Sequence, residues 1–149
     1  MDCPCRSGRQ YADCCGRFIA QSAVAENALA LMRSRYCAHV LGDADYLRAT
    51  WHEDWRPAVL SLDDGIRWLG LEIIETMEQG DQAWVEFEAR LIAGGFVDAL
   101  RERSRFLRVA GRWFYADGEA REPGTRRFRP GRNEACPCGS GRKFKRCCG

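Results

Sequence analysis

Eight of the nine cysteines fall into two copies of one pattern. Cys3, Cys5, Cys14 and Cys15 near the start, and Cys136, Cys138, Cys147 and Cys148 at the end, each read C-x-C, eight residues, then C-C. Adjacent cysteines make poor disulfides, because neighbouring Cα atoms lie ~3.8 Å apart across a trans peptide, inside the ~4.4 Å lower edge of ordinary bridges. Four thiolates around one ion are easier to build. A metal–sulfur distance of ~2.3 Å asks for sulfurs roughly 3.8 Å apart, which neighbouring side chains reach by choice of rotamer. An all-sulfur set suits Zn²⁺, with iron the competitor, and a site with no open position is structural and not catalytic. The expectation is two structural zinc ions, one per four-cysteine knuckle, with Fe possible in their place. Cys37 stands outside the pattern and reads as a small core residue on a helix.

The residues between the ligands fit that chemistry. Ser7-Gly8 and Ser140-Gly141 allow a tight turn that aims amide hydrogens at the sulfurs. Tyr11 and Phe144 occupy matching positions beside the metal, and Arg9 and Arg142 are matched counter-charges for four-thiolate centres that each carry about −2. Charge is distributed unevenly. Residues 121–149 hold nine basic residues against two acidic ones, a formal +7, which leaves −5 on residues 1–120 of a chain whose total is +2. A tail this basic suits an anionic partner, either RNA or an acidic protein surface.

Between the knuckles the period is first helical and then two. Val24, Ala28, Leu31, Met32, Tyr36 and Val40 recur at steps of three and four after Gly16. Gly42 stops that helix and Asp43 caps a second, shorter one, "DADYLRATW". Ser61 to Asp64 is a capping-box pattern for one more short helix. From Ile66 the alternation is that of half-buried strands: "AWVEFEARLIAG" sets Val85, Phe87, Ala89 and Leu91 against Glu86, Glu88 and Arg90. "ALRERSRFLRV" and "RWFYADG" are further strands joined at Ala110-Gly111. Helices followed by an antiparallel meander give an α+β fold, N-terminal helices on a curved antiparallel sheet. The expected divisions are an N-terminal knuckle over 1–17, a central α+β domain over 18–120, a basic linker over 121–131 and a C-terminal knuckle over 132–149.

"GRNEACPCGSGRKFKRCCG" resembles the SEC-C motif, the zinc-binding tail of the preprotein translocase motor SecA, with Cys148 where SecA has histidine. The resemblance implies a metal-folded knuckle that docks a chaperone or the ribosome. The N-terminal copy keeps the ligands but carries Arg6 in place of Gly139, and Gln10, Ala12 and Asp13 in place of Lys143, Lys145 and Arg146. "ALMRSRYCAHVLGDADYLRATWHEDWRP" with "RERSRFLRVAGRWFYADG" resembles the bacterial YchJ family, whose core is similar to the nuclear transport factor 2 fold, a cystatin-like cone. This second resemblance implies a fold more than an activity.

A cone of that kind encloses a pocket, for which Tyr36, His39, Trp51, His52 and Arg103 are the candidate residues, with Glu102 beside them. His52 in "TWHEDWRP" is the single candidate for general acid–base catalysis. The leading expectation is an interaction protein in which the C-terminal knuckle follows a mobile linker and presents Arg142, Lys143, Phe144, Lys145 and Arg146 to a protein, chaperone or ribosomal partner. A small-molecule-binding protein or an isomerase- or dehydratase-like enzyme is the alternative, and sequence-neutral RNA contact the third. The chain lacks the basic start and apolar run of a secretory signal and any stretch long enough to span a bilayer, so a cytoplasmic protein with no membrane contact is expected.

Overall fold

The computed structural model describes residues 1–63 and 65–149. Helix α1 spans Cys15–Ile19, α2 Ala28–Leu41 and α3 Ala44–Ala49. Four strands follow, β1 Arg67–Gln79, β2 Gln82–Ala93, β3 Phe96–Val109 and β4 Arg112–Arg121, in an antiparallel meander of order β1-β2-β3-β4. No helix among the described residues is long and apolar enough to cross a membrane.

The starts of α2 and α3 are set by side-chain caps. Asn27 accepts a hydrogen bond from the Ala30 amide at 2.8 Å and starts α2, while Gly42, at φ 74°, ends it in the left-handed conformation that glycine adopts at no steric cost. Asp43 then accepts from the Tyr46 amide at 2.9 Å and starts α3. The long helix expected directly after Gly16 is in fact two: α1 closes when the Ser22 and Ala23 amides both bond the Arg17 carbonyl, with Gln21 at φ 61°. Val24, assigned to the helical stripe, therefore lies exposed in the connection, and Val40 lies at the exposed edge of α2. The short helix expected from Ser61 is not found among the described residues. Residues 61–63 are non-helical, Asp64 lies outside the described residues, and β1 begins at Arg67.

The hairpin at Gly94-Gly95 and the one at Ala110-Gly111 place both central residues at positive φ, as two-residue turns that match strand twist require. Bulges between Trp68 and Gly70, Ile73 and Glu75, and Arg105 and Phe106 curl the sheet around α2. Register resolves the mixed segment "RERSRF". Glu102, Ser104 and Phe106 pair with Phe87, Val85 and Ala83 and share their inner face, whereas Arg101, Arg103 and Arg105 point outward. The main core joins Leu31, Met32 and Tyr36 of α2 to Val85, Phe87, Phe106 and Trp113, and it continues without a break into Cys3, Cys5, Cys14 and Cys15.

The segment 121–131, expected as a free tether, is pinned to the outer face of the sheet. Glu88, buried on that face, accepts from the Gly124 amide at 2.6 Å and the Thr125 hydroxyl at 2.7 Å. Phe128 exchanges both backbone hydrogen bonds with Val97, and the guanidinium groups of Arg127 and Arg129 stack on Phe96. Burial works to raise the Glu88 pKa, but the Thr125 and Gly124 donors outweigh it and hold it below the ordinary value of 4.5. A depressed carboxylate stabilises the folded state fully above its unfolded pKa and loses that contribution as the pH falls through its folded pKa. Protection of the Gly124 amide from exchange is thus expected to disappear as the pH drops below the carboxylate range. Glu88→Ala is expected to speed trypsin cleavage after Arg126 and Arg127 about tenfold at neutral pH, the worth of a charge-assisted hydrogen bond.

Candidate metal centres and central cavity

The two knuckles are built alike. Each begins with a bridge, Asp2 to Gln10 in one and Ala135 to Lys143 in the other, that folds the C-x-C loop back on itself. The Cys3 amide bonds the Arg9 carbonyl at 2.9 Å and the Cys136 amide bonds the Arg142 carbonyl at 2.8 Å. A single 3₁₀ turn, Tyr11–Asp13 or Phe144–Arg146, then brings up the paired cysteines. The glycine after each pair is obligatory for a shared reason. A Cβ on Gly16 would lie 2.7 Å from the Tyr11 carbonyl, and one on Gly149 would lie 2.7 Å from that of Phe144. The match breaks at Arg6, which holds φ 63° where Gly139 holds 81°. Its side chain lies over Gly70 and donates to the Leu69 carbonyl, so the residue that departs from the pattern is the one that ties this knuckle to β1.

The sulfurs of Cys3, Cys5, Cys14 and Cys15 all lie within 4.8 Å of one another, as do those of Cys136, Cys138, Cys147 and Cys148. Individual separations are 3.7 Å for Cys5–Cys14, 3.9 Å for Cys14–Cys15, 3.4 Å for Cys138–Cys147 and 3.8 Å for Cys147–Cys148. These bracket the ~3.8 Å edge of a tetrahedron of thiolates about a metal ion. Either set of four could hold one. In both, a serine hydroxyl supports a sulfur, Ser7 on Cys14 at 3.2 Å and Ser140 on Cys147 at 3.3 Å. Cationic support is not matched. Arg142 stands 3.7 Å from Cys147 and Arg67 of β1 stands 3.8 Å from Cys148, but Arg9, expected as a counter-charge, donates to the Asp13 carbonyl instead.

The ionisation pattern has the form expected of four thiols that cannot all lose protons without a cation. Ser140, through both its hydroxyl and its amide, pulls Cys138 down to about 6, while burial and the neighbouring Cys136 and Cys147 push Cys148 up to about 12. In the N-terminal set, Cys15 and Cys37 pull Cys5 down and the Cys15 thiol is pushed up in return. Cys37 is a core residue, as expected, but its surroundings were not foreseen: its sulfur lies 3.5 Å from that of Cys3, against the ligand set although outside it.

Inside the cone, α2, α3 and the inner sheet face enclose a cavity of about 230 Å³. Tyr36, His39 and Trp51 line it, as the sequence suggests, but His52 and Arg103 do not. The His52 Nδ1 accepts from the Asp54 amide at 3.1 Å and its ring sits between Trp55 and Phe114, so it braces the chain after α3 and has no place in cavity chemistry. Arg103 points outward and stacks on Trp84. The polar lining residues missed are Arg35, Ser104 and Tyr115. Arg35 could have been found, since it lies three residues after Met32 and four before His39 on the same face of α2.

Arg142, Lys143, Lys145 and Arg146 are exposed, but Phe144 is 1% exposed and packs with Cys136 onto Leu69, Ile92 and Val97 at one end of the outer sheet face. Phe144 is therefore an internal anchor, not a contact offered to a partner. The C-terminal knuckle expected at the end of a mobile linker is packed on the sheet.

Comparison with known proteins agrees with this architecture. The YchJ middle NTF2-like domain matches residues 27–118, and the SEC-C motif matches residues 2–17 and 132–149. A UPF0225 protein of Pectobacterium carotovorum subsp. carotovorum (strain PC1) is 45% identical over 157 aligned residues, covering 99% of this chain and 97% of its own. A SEC-C motif containing protein of Rhodopseudomonas palustris, known from its solution structure, is 37% identical with a TM-score of 0.74, over 82% of this chain and 100% of its own. The crystal structure of a SEC-C motif containing protein of Psychrobacter arcticus is 28% identical with a TM-score of 0.65, over 98% and 94%. With the middle domain and both flanking motifs matched in this order and a relative aligned along almost the whole length, the chain belongs to the YchJ (UPF0225) family.

Proposed function

We propose that this protein is a zinc-stapled interaction protein whose C-terminal knuckle presents a rigid basic face to an acidic surface on a protein partner. The observation that carries the reading is the exposure of Arg142, Lys143, Lys145 and Arg146 around a buried Phe144. Four cations within five residues would repel and spread on a flexible tail. Here they radiate from a metal-folded turn fixed to the sheet, so little ordering entropy opposes their engagement. Zinc is the favoured ion because both sets are four-thiolate, closed and without an open coordination position. The N-terminal copy replaces three of these positions with Gln10, Ala12 and Asp13 and is buried against the core, which supports a division of labour: one knuckle staples and the other docks.

The test removes charge without touching the metal. Arg142 is left in place because it contacts the Cys147 sulfur. The Lys143→Ser, Lys145→Ser, Arg146→Ser triple variant should keep its metal content and thermal midpoint. Its capture of proteins in nuclease-treated extract should fall at least tenfold, with the residual binding less sensitive to salt. Unchanged capture would reject the basic face as the docking site, and capture abolished by nuclease alone would replace the protein partner with RNA.

A further inference from the structure

From the buried Arg35 and the aromatic cavity it faces, we propose that the cone binds a small organic carboxylate, with the carboxylate on Arg35 and an apolar body between Trp51 and Trp68. Arg35 is 6% exposed. Its Nη1 donates at 2.7 Å to the Leu47 carbonyl and at 2.7 Å to the Thr50 hydroxyl, which fixes the guanidinium at the end of α3. Its Cζ lies 4.5 Å from the Tyr115 ring centroid and 5.2 Å from that of Trp51. Among the described residues no carboxylate comes within 4.0 Å of it. A guanidinium in this position is largely removed from water without a carboxylate in ion-pair range, and it lines the cavity.

The nearest acid along the cavity wall does not fill that role. Glu102 accepts from the Ser104 hydroxyl at 2.5 Å, and its carboxyl occupies the space above Gly118 that a Cβ would take. Burial accordingly depresses Arg35 to about 10, with only partial compensation from its neighbours. Cation and anion therefore sit on different walls of one chamber. A carboxylate would complete the planar fork of Arg35 with paired hydrogen bonds. The remaining lining sets the ligand's other end: Trp51, Trp68, Tyr36 and Phe87 are aromatic, and Glu102 on the sheet side suits a hydrogen-bond donor. At about 230 Å³ the chamber falls below the ~300–1,000 Å³ of drug-sized pockets, which limits the ligand to roughly a one-ring acid. His39, tilted against Trp68 with ring centroids 5.8 Å apart, stands at the rim.

The experiment titrates the intact, metal-loaded chain with benzoate and phenylacetate, and with their neutral counterparts benzamide and phenylacetamide, by NMR. A carboxylate should bind about ten- to a hundredfold more tightly than its neutral counterpart, the worth of a hydrogen bond to a buried charge. Intermolecular contacts from its ring should reach the Trp51 and Trp68 indoles. Arg35→Met should reduce the carboxylates to the affinity of the neutral compounds. Because that variant also loses the ties to Leu47 and Thr50, the comparison of charged and neutral probes on the unaltered protein decides the matter if it misfolds. Equal binding of acid and amide, contacts to other residues, or no binding of either acid would overturn the proposal.

Discussion

Cys5→Ser is expected to remove one metal ion per chain and, with it, the cooperative unfolding of the whole protein, whereas Cys138→Ser should remove one metal ion and leave the cone folded. The asymmetry follows from where each set of sulfurs lies. Cys3, Cys5, Cys14 and Cys15 belong to the same buried cluster as Leu31, Met32, Phe87 and Phe106, so a metal ion held at that end would be part of the main core. Structural zinc contributes roughly 10–16 kcal/mol of apparent binding energy, comparable with the roughly 5–15 kcal/mol that holds a whole domain together. Without it, α1 has five residues and no side-chain cap, and the Arg33 bond to the Cys5 carbonyl loses its fixed partner. Apolar surface on α2 would then open to water. The C-terminal sulfurs belong to a separate cluster with Leu69, Ile92 and Val97, which adjoins the sheet from outside. Metal content per chain together with near-ultraviolet circular dichroism and thermal unfolding distinguishes the two variants. The first should lose its sharp transition, and the second should keep a midpoint within a few degrees of the parent. Equal loss in both would mean that the two knuckles support the core alike. A parent protein with iron in place of zinc would replace the metal assignment but leave the contrast intact.

How much of this was legible in the sequence depends on whether the determining contacts are local. Ligand spacing, the Gly42 and Asp43 caps and the Ala110-Gly111 turn all act within a few residues, and each is visible in the chain as written. Glu102 and Ser104 are different. Their place on the inner face follows from pairing with Phe87 and Val85, about fifteen residues earlier at the nearest, and the surrounding arginines obscure the alternation. The docking of the C-terminal knuckle was least legible. Leu69, Ile92 and Val97 come from three strands and form a patch only once the register is set, and Ile92 in particular breaks the alternation that "AWVEFEARLIAG" otherwise displays. A proline- and glycine-bearing linker looks the same whether it is free or pinned. The difference here is Glu88, a buried carboxylate on a face that reads as solvent-exposed.

Phe144→Ala should free the C-terminal knuckle from the sheet, and it tests whether the basic face is held rigidly. Truncating a buried phenylalanine costs about 3–5 kcal/mol. Part of that loss falls inside the knuckle, where Cys138, Cys147 and Cys148 pack against the cluster that Phe144 shares with Cys136, and part falls on the side of Leu69, Ile92 and Val97. Ile92→Ala separates the two, since it empties the sheet side by about 2–5 kcal/mol and leaves every knuckle residue in place. In the parent protein, ¹⁵N relaxation of Lys143, Lys145 and Arg146 should report the same tumbling as β2 and β3. In Ile92→Ala these amides should gain fast local motion while both metals are retained, and in Phe144→Ala the second metal should also become easier to chelate. The pinning of residues 121–131 by Glu88 limits how far a released knuckle can travel. Partner capture should therefore weaken and not vanish, because the charges persist while the entropy of ordering them has to be met at the moment of contact. Independent tumbling of the knuckle in the parent protein would overturn the docked arrangement and, with it, the argument that rigidity is what the buried Phe144 supplies.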